Sequence, residues 1–341
     1  MSMVINGRFL SRRTTGVERY GMEITKRFED KARIIRPVRP LQGISGHAWE
    51  QFALPQQLRT EEVLWSPANS GPWTVGRQVL TIHDASPFDH PEWFKPSFGA
   101  WTRLSWRILA KTARSILTVS NFSRDQLKKH LGIPDSKLHV VYDGVGKPFK
   151  PQSQKEIAEI REKYYLKKPY FLFVGTQEPR KNLRTLFQAW EMYLSSNTDC
   201  ALVIAGKKGT VFSTKGVGKI LNLTYVQFLD YVPDDDLPAL YSGAFAVVVP
   251  SLYEGFGLPA LEAMACGTPV IASNTTSFSE VIGNIALPVN PANAKEIASA
   301  MLQISEDPAL ANTLSERGTQ HAAQFTWDES ARKRQALLES L

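Results

Sequence analysis

The chain of 341 residues is 43% hydrophobic and 21% charged, which is typical of a packed globular protein and excludes a disordered or fibrous one. Its two cysteines, Cys200 and Cys266, lack the CxxC spacing, so neither a disulfide framework nor a cysteine-rich zinc site is available. No apolar run approaches the ~20 residues that span a bilayer, and the N-terminus lacks the apolar core of a signal peptide. We therefore expect a soluble or peripheral protein of a reducing, cytoplasmic compartment.

The basic charge of the chain is concentrated in its first half. Residues 1–150 contain 23 Lys and Arg against 13 Asp and Glu, whereas the remaining residues contain 17 and 20, for a formal net charge of +7. This asymmetry favours an acidic partner for the first half: a phosphorylated substrate, an anionic membrane surface or a nucleic acid. The cations are scattered and no nucleic-acid-binding motif is present, so we expect no nucleic-acid partner.

Short apolar runs alternate with longer helical patterns, which indicates βαβ units and parallel sheets. The Gly-, Pro- and Lys-rich segment 144–151 interrupts these patterns and predicts a linker. We therefore predict an α/β protein with two Rossmann-like domains, 1–150 and 151–325, that face a cleft. The clearest predicted helices are Leu183–Leu194 and Leu258–Ala265. The predicted strands are Val63–Trp65, Gln78–Ile82, Ser115–Val119, Leu138–Val141, Tyr170–Gly175, Ala201–Gly206, Val226–Leu229, Ala246–Val249 and Val270–Ala272.

One candidate phosphate site follows the predicted strand Tyr170–Gly175, since ligands bind at the carboxyl ends of such strands. Arg180 and Lys181 lie just before a helix that is predicted to start near Asn182. Two adjacent cations can neutralise two phosphate charges, the Arg through bidentate hydrogen bonds from its guanidinium and the Lys through its compact ammonium charge. A solvated pair is the ordinary alternative, but cations at a helix start oppose the helix dipole, so a bound anion explains them better.

A second candidate site follows the predicted strand Ala246–Val249, where a glycine-containing loop leads into a helix. The unpaired N–H groups and the positive dipole end at Gly257 and Leu258 favour an anion such as a diphosphate. Glu254 precedes this loop, and Glu262 lies about one helical turn inside the helix, where a ribose hydroxyl could donate to it. Their combination in one strand–loop–helix favours a nucleotide site over a simple surface turn.

The paired glutamates and the Glu-Pro-Arg-Lys-Asn loop at 178–182 belong to a wider set of motifs. The other members are Thr81–Asp84, Val119–Ser123, Val140–Val145, Pro269–Ser273, Ser277–Gly283 and Phe325–Asp328. Over most of its length the chain thereby resembles the retaining GT-B glycosyltransferases of family 4. The resemblance implies a GT-B fold in which a C-terminal helix, 326–341, crosses back to the first domain.

The resemblance also implies a role for each matching residue of the second half. Arg180 and Lys181 match the cations that hold the donor diphosphate and stabilise the leaving nucleotide diphosphate, where negative charge develops during the reaction. Glu254 matches the carboxylate that contacts the donor sugar, and Glu262 matches the carboxylate that binds the ribose. The loop that lies against the donor sugar and phosphate comprises Gly255, Phe256, Gly257 and Leu258.

Four further residues match family positions outside these two loops. His83 matches the active-site histidine that contacts sugar or acceptor hydroxyls. Gly16, in the segment Thr14–Tyr20, matches the first glycine loop near the donor phosphates, although family members frequently carry two glycines there. Val232 would lie against the nucleobase through its backbone, and Asp234 would either accept from a guanine base or cap the next helix.

The activity implied is transfer of a sugar from a nucleotide-diphosphate donor with retention of configuration, without a bound metal and without a cofactor. GDP-mannose is the first donor expected, and UDP- or dTDP-sugars are the alternatives. The expected acceptor is a glycan or a polyprenyl-diphosphate-linked glycan, in polysaccharide or O-antigen biosynthesis at the inner face of the cytoplasmic membrane. The basic first half leaves an anionic membrane surface open as a partner. A nucleotide-sugar epimerase and, from another class, a nucleic-acid-binding protein remain as alternatives.

Overall fold

A computed structural model of the chain describes residues 2–11, 15–28, 31–41, 43–197, 199–207 and 224–340. The chain divides into two compact units, and apart from the short segment Glu92–Lys95 it passes between them after Gly144 and again after Phe325. The first crossing lies inside the predicted linker, somewhat before the boundary predicted at residue 150. Unit 1 comprises Met1–Pro91, Pro96–Gly144 and Thr326–Leu341, and unit 2 comprises Glu92–Lys95 and Val145–Phe325.

Unit 1 contains a parallel sheet in which the six strands of the described residues run in the order β2-β1-β3-β4-β5-β6. Its strands are β1 (Ser2–Asn6), β2 (Ala32–Ile35), β3 (Glu62–Ser66), β4 (Gln78–Thr81), β5 (Ser115–Thr118) and β6 (Leu138–Val140). Its helices are α1 (Gly16–Lys26), α2 (Gly43–Ala48), α3 (Ser86–Asp89), α4 (Pro96–Thr112) and α5 (Asn121–Leu131), with a π-helix over Trp49–Ala53 and a 3-10 helix over Gly7–Ser11.

Unit 2 contains a second parallel sheet, whose six described strands run in the order β12-β11-β10-β7-β8-β9. Its strands are β7 (Tyr170–Val174), β8 (Ala201–Ala205), β9 (Val226–Asp230), β10 (Ala246–Val249), β11 (Val270–Ser273) and β12 (Leu287–Val289). Its helices are α6 (Gln154–Lys163), α7 (Leu183–Leu194), α8 (Leu237–Ser242), α9 (Leu258–Ala265), α10 (Phe278–Val281), α11 (Ala294–Glu306) and α12 (Pro308–Ala322).

The central strands and the flanking helices of unit 2 bury complementary apolar surfaces. β10 is buried along its whole length, as expected of a parallel strand that helices cover on both faces. Helix α7 is amphipathic, and Leu186 and Trp190, four residues apart on one face, enter the same core as Ile297 and Met301 of α11. The apolar residues of these strands and helices therefore form the core, and the polar residues lie in the loops at the carboxyl edge of the sheet.

The last helix, α13 (Trp327–Ser340), belongs to unit 1, where the fully buried Arg334 fastens it. The Arg334 guanidinium donates to Asp143 Oδ1 at 2.9 Å, to Val141 O at 2.8 Å and to the Tyr20 hydroxyl at 3.0 Å. One arginine thus connects the final helix to α1 and to the segment that follows β6.

The predicted α/β fold with two Rossmann-like domains and a returning C-terminal helix is confirmed. Each predicted strand is present, with bounds that differ by no more than one residue at either end. The strands β1, β2 and β12 were not predicted. None of the described helices combines the length and the hydropathy that a membrane crossing requires.

Candidate active site

The strand order of unit 2 reverses between β7 and β10, because β8 and β9 extend the sheet on one side and β11 and β12 on the other. At such a reversal the loops that leave the two strands diverge and open a crevice at the carboxyl edge, where ligands bind. Arg180 and Lys181 follow β7, and Glu254 follows β10. The topology therefore unites two motifs that lie 73 residues apart in the sequence.

The loop after β7 holds both cations in a short 3-10 helix, Pro179–Lys181. Asn182 ends this turn in the left-handed conformation, with a φ of +60°, which asparagine tolerates better than most residues. Its side-chain amide donates to Pro250 O at 3.0 Å and to Pro291 O at 2.7 Å. Asn182 therefore ties the cation-bearing loop to the loops that follow β10 and β12.

Glu254 lies at the centre of a buried charge cluster. Its Oε1 accepts from Lys181 Nζ at 2.5 Å and from Ser251 Oγ at 2.8 Å, and its Oε2 accepts from Arg180 Nη1 at 3.0 Å. Arg180 also pairs through Nε with Glu178, and the charged side chains of the cluster are between 2% and 19% exposed. Two cations and two carboxylates balance each other, so the cations are held in place before any ligand arrives.

These ion pairs keep Glu254 in its charged form. Burial alone would raise its pKa, but the charges of Lys181 and Arg180 and the hydrogen bonds from Lys181 and Ser251 lower the pKa to about 2. The pKa in the folded state thus lies below the ordinary value of 4.5. It follows that the cluster stabilises the fold fully above about pH 4.5 and loses this contribution as the pH falls towards about 2.

A comparison with Glu254→Gln tests this pH dependence, because an amide at this position does not titrate. Between about pH 5 and pH 3, we expect the free energy of unfolding of the wild-type protein to fall by on the order of 2 kcal/mol more than that of the variant. Urea unfolding at several pH values measures the difference. Parallel pH dependences for the two proteins would contradict the assignment of a charged, paired Glu254.

The turn between Glu254 and α9 requires glycine at one position. Gly257 has a φ of +102°, and a Cβ added there would lie 2.5 Å from Cε1 of Phe278. The loop after β11 also holds the turn, because the Glu254 N–H donates to Thr276 Oγ1 at 3.3 Å and Ser277 Oγ donates to Glu254 O at 2.9 Å. The segment 276–278 after β11 therefore fixes the turn that leads into α9.

The remaining residues of the predicted donor loop share this strand–loop–helix. Gly255 and Phe256 are buried, and Leu258 is half-buried where α9 begins. Glu262 is buried one turn further on and accepts from the Tyr241 hydroxyl at 3.0 Å. Its predicted contact with a ribose stays a prediction.

The residues predicted to contact the nucleobase follow β9, which is separated from β7 by β8. Val232 is buried, and Asp234 is exposed in the loop that precedes α8. Beside them, Lys207 Nζ lies 5.8 Å from the centroid of the Tyr231 ring. The base contact of Val232 and Asp234 also stays a prediction.

Gly16 and His83 lie in unit 1 and not in the charge cluster of unit 2. Gly16 is the exposed first residue of α1, and Thr14 of the same predicted loop is outside the described residues. His83 follows β4, and its Nε2–H donates to Pro67 O at 3.0 Å, which leaves Nδ1 as the acceptor of the ring. Burial lowers the pKa of His83 to about 4, so the imidazole is neutral near pH 7.

Sequence reasoning gave no role to Ser251, Asn182 or Glu178, although all three position the cluster. Their shared signal is that they are polar residues in the loops that follow the carboxyl ends of β7 and β10. Within the described part of the chain, no three or more His, Cys, Asp or Glu side chains are grouped so that they could hold a metal ion. The cluster combines two preorganised cations with a carboxylate that is charged near neutral pH, which suits a phosphorylated ligand that also carries hydroxyl groups.

Two doubly wound units and a cation pair at a strand-order reversal define a two-domain α/β protein whose candidate site suits a phosphorylated ligand. A model of the group 1 glycosyl transferases matches residues 154–321, and a model of glycosyltransferase family 4 matches residues 25–146. The chain therefore belongs to the group 1 glycosyltransferases of family 4.

Similar proteins agree with this membership. The chain is 35% identical over 261 residues to the O-antigen chain mannosyltransferase B of Escherichia coli, covering 75% of this chain and 68% of that protein. It is 34% identical over 233 residues to the O-antigen chain mannosyltransferase RfbU of Salmonella typhimurium, covering 68% of this chain and 62% of that protein. The crystal structure of HepE from Anabaena in complex with UDP-glucose covers the whole of both chains with a TM-score of 0.78 at 17% identity, which shows a shared fold.

Proposed function

We propose that this chain is a retaining, metal-independent mannosyltransferase that uses GDP-mannose and extends a lipid-linked glycan in O-antigen or related polysaccharide biosynthesis. The observation that carries the proposal is the cluster of Arg180, Lys181 and Glu254 at the carboxyl edge of β7 and β10. The names of the relatives from Escherichia coli and Salmonella typhimurium support mannose as the sugar and O-antigen as the product.

In this proposal the cations receive the charge that develops on the leaving group. As the bond between the anomeric carbon and the phosphate oxygen breaks, negative charge collects on the diphosphate, and Arg180 and Lys181 stabilise it without having to reorganise. Glu254 then exchanges part of its contact with the cations for the hydroxyls of the donor sugar. Its negative charge also stabilises a cationic, oxocarbenium-like anomeric carbon.

The acceptor hydroxyl attacks the anomeric carbon from the face that the diphosphate leaves. Its oxygen forms the new glycosidic bond, its proton passes to the leaving phosphate oxygen, and GDP departs, so no protein base is required. A neutral His83 suits this scheme, because its imidazole serves as a hydrogen-bond partner for sugar or acceptor hydroxyls rather than as an ionised group.

The acceptor and its membrane are assigned to the first half of the chain, which carries the excess of Lys and Arg. A polyprenyl-diphosphate glycan is itself anionic, and a peripheral position at the inner face of the cytoplasmic membrane would bring it to a basic surface. Gly16 is proposed to approach the donor phosphates, and Val232 and Asp234 the guanine base.

A thermal-shift comparison of GDP, UDP, dTDP and ADP tests the donor first. We expect GDP to raise the melting temperature most, and GDP-mannose to be turned over with a lipid-linked acceptor to an α-linked product in the presence of EDTA. UDP is the alternative to watch, because HepE shares the fold and was crystallised with UDP-glucose. Product formation without acceptor would indicate an epimerase, and the absence of any shift or turnover would overturn the proposal.

A further inference from the structure

The carboxyl edge of unit 1 holds a buried ion pair that the donor site does not use. Its strand order also reverses between β1 and β3, which is where a doubly wound sheet binds its ligand. Arg8 follows β1 and lies 2.6 Å from Glu50, and their side chains are 3% and 1% exposed. Asn6, at the end of β1, donates to Glu50 Oε1 at 2.7 Å and to Ser66 Oγ, at the end of β3, at 3.3 Å.

Such a pair is a poor way to stabilise a core, because the cost of removing two charges from water offsets much of their mutual attraction. A buried ion pair does, however, hold a neighbouring polar side chain at the surface in a fixed geometry. His47, which is 23% exposed, is the group held here.

The tautomer of His47 follows from its neighbours. Its Nδ1 lies 3.0 Å from Arg8 Nη1 and 3.3 Å from Trp101 Nε1, and both of these groups can only donate. Glu50 Oε2 lies 3.7 Å from the same Nδ1, which is beyond hydrogen-bonding distance. Nδ1 therefore carries the lone pair, and the N–H of the ring is on Nε2, at the side opposite the ion pair.

Two half-buried tryptophans extend this surface. The Trp101 ring lies with its centroid 5.2 Å from that of His47 and 5.1 Å from that of Trp73. Trp73 also packs against the core and donates from Nε1 to Ser105 Oγ at 3.0 Å. The result is an aromatic surface edged by one oriented N–H donor, while the charges of Arg8 and Glu50 beneath it compensate each other.

We propose that an uncharged hexose ring of the acceptor glycan binds to His47, Trp73 and Trp101. These three residues are called the hexose platform. The C–H face of a pyranose stacks on an aromatic ring while one of its hydroxyls accepts from His47 Nε2–H. This inference rests on the proposed function, which assigns the acceptor glycan to the first half of the chain.

One loop joins the hexose platform to the predicted active-site histidine. Ser70 Oγ donates to Glu50 Oε1 at 3.0 Å, and Asn69 Oδ1 accepts from the backbone N–H of His83 at 2.9 Å. Asn69 has a φ of +61°, so this short segment is fixed in an unusual conformation between the two sites. A hexose on the platform thus occupies the same sheet edge as His83.

The test is a titration of the 341-residue chain with α-linked mannotriose, monitored by saturation-transfer NMR. Trp101→Ala and His47→Leu are expected to weaken binding about five- to tenfold, the scale of one aromatic contact or one hydrogen bond. Trp101→Phe and His47→Gln retain a ring and a donor, respectively, and should bind within about twofold of wild type. Phe52→Ala removes a 73% exposed ring from the neighbouring π-helix and serves as the matched control.

The GDP-induced thermal shift, measured on the same samples, separates this inference from the proposed function and verifies that each variant is folded. Loss of mannotriose binding in Trp101→Ala and His47→Leu with an unchanged GDP shift supports the hexose platform. Wild-type affinity in both variants, or no mannotriose binding by the wild-type protein, overturns it. A wild-type protein that binds mannotriose but shows no shift with any nucleotide diphosphate would instead overturn the proposed donor.

Discussion

Replacement of Lys181 by methionine is expected to lower the rate of mannosyl transfer by about a thousandfold. The side chain keeps its length but loses the charge that, in the proposed mechanism, meets the leaving diphosphate. The ammonium group lies 2.5 Å from Glu254, so its loss also alters the carboxylate assigned to the donor sugar. Release of GDP from GDP-mannose in the presence of acceptor measures the effect.

Two features make this variant informative. Glu254 keeps its hydrogen bonds from Arg180 and Ser251, so the cluster retains a cation and the fold should persist. Lys163→Met is the matched control, because Lys163 is 54% exposed and pairs with Asp236 at 2.7 Å in the same unit. An exposed pair of this kind contributes ~0–1 kcal/mol, so the control should transfer mannose at the wild-type rate. A folded Lys181→Met protein that retained even a third of the wild-type rate would remove Lys181 from the mechanism.

Arg334→Met is expected to destabilise unit 1 by about 3–5 kcal/mol, which is the effect of leaving one member of a buried ion pair without its partner. Arg334 is fully buried and Asp143 is 3% exposed, with 2.9 Å between the charged groups. The same guanidinium also satisfies the carbonyl of Val141 and the hydroxyl of Tyr20. Urea unfolding followed by circular dichroism measures the loss, and α13 should become accessible to proteases first.

Burial raises the pKa of Asp143 to about 7 although the charge of Arg334 lowers it, so without Arg334 this carboxyl has to take up a proton or remain as a buried, unpaired charge. The double variant Arg334→Met, Asp143→Asn should recover part of the stability, because an amide at this position carries neither cost. Arg332→Met is the control on the same helix, since Arg332 is 70% exposed in its pair with Glu329. A loss of unfolding free energy for Arg334→Met no larger than that for Arg332→Met would show that the buried arginine does not hold α13 in place.

Two of the three strands that were not predicted, β2 and β12, have their apolar pattern interrupted by a charged residue or a proline. β2 contains Arg33 and lies at one edge of its sheet, and β12 contains Pro288 and lies at an edge of the other. Edge strands tolerate charges and proline because one side makes no ladder hydrogen bonds. β1 is five residues long with the apolar run Met3–Ile5 and was missed although predicted strands such as β10 are no longer. By contrast, the fully apolar β10 was predicted residue for residue.

The sequence predicts which residues form the candidate site but not which of them contact one another. The motifs identify Arg180, Lys181 and Glu254, but their pairing depends on the reversal of strand order between β7 and β10, which no local pattern encodes. The same limit applies to Asn182, which the sequence marks only as a helix start and which in fact connects loops from different strands. The hexose platform likewise depends on contacts between distant elements of unit 1.

The central claim is that Arg180 and Lys181 hold a nucleotide diphosphate beside Glu254, and a crystal structure of the complex with GDP tests it most directly. The account predicts diphosphate oxygens within hydrogen-bonding distance of Lys181 Nζ and the Arg180 guanidinium, with the ribose near Glu262. GDP bound elsewhere in the chain, with the contacts among Lys181, Arg180 and Glu254 unchanged, would contradict it.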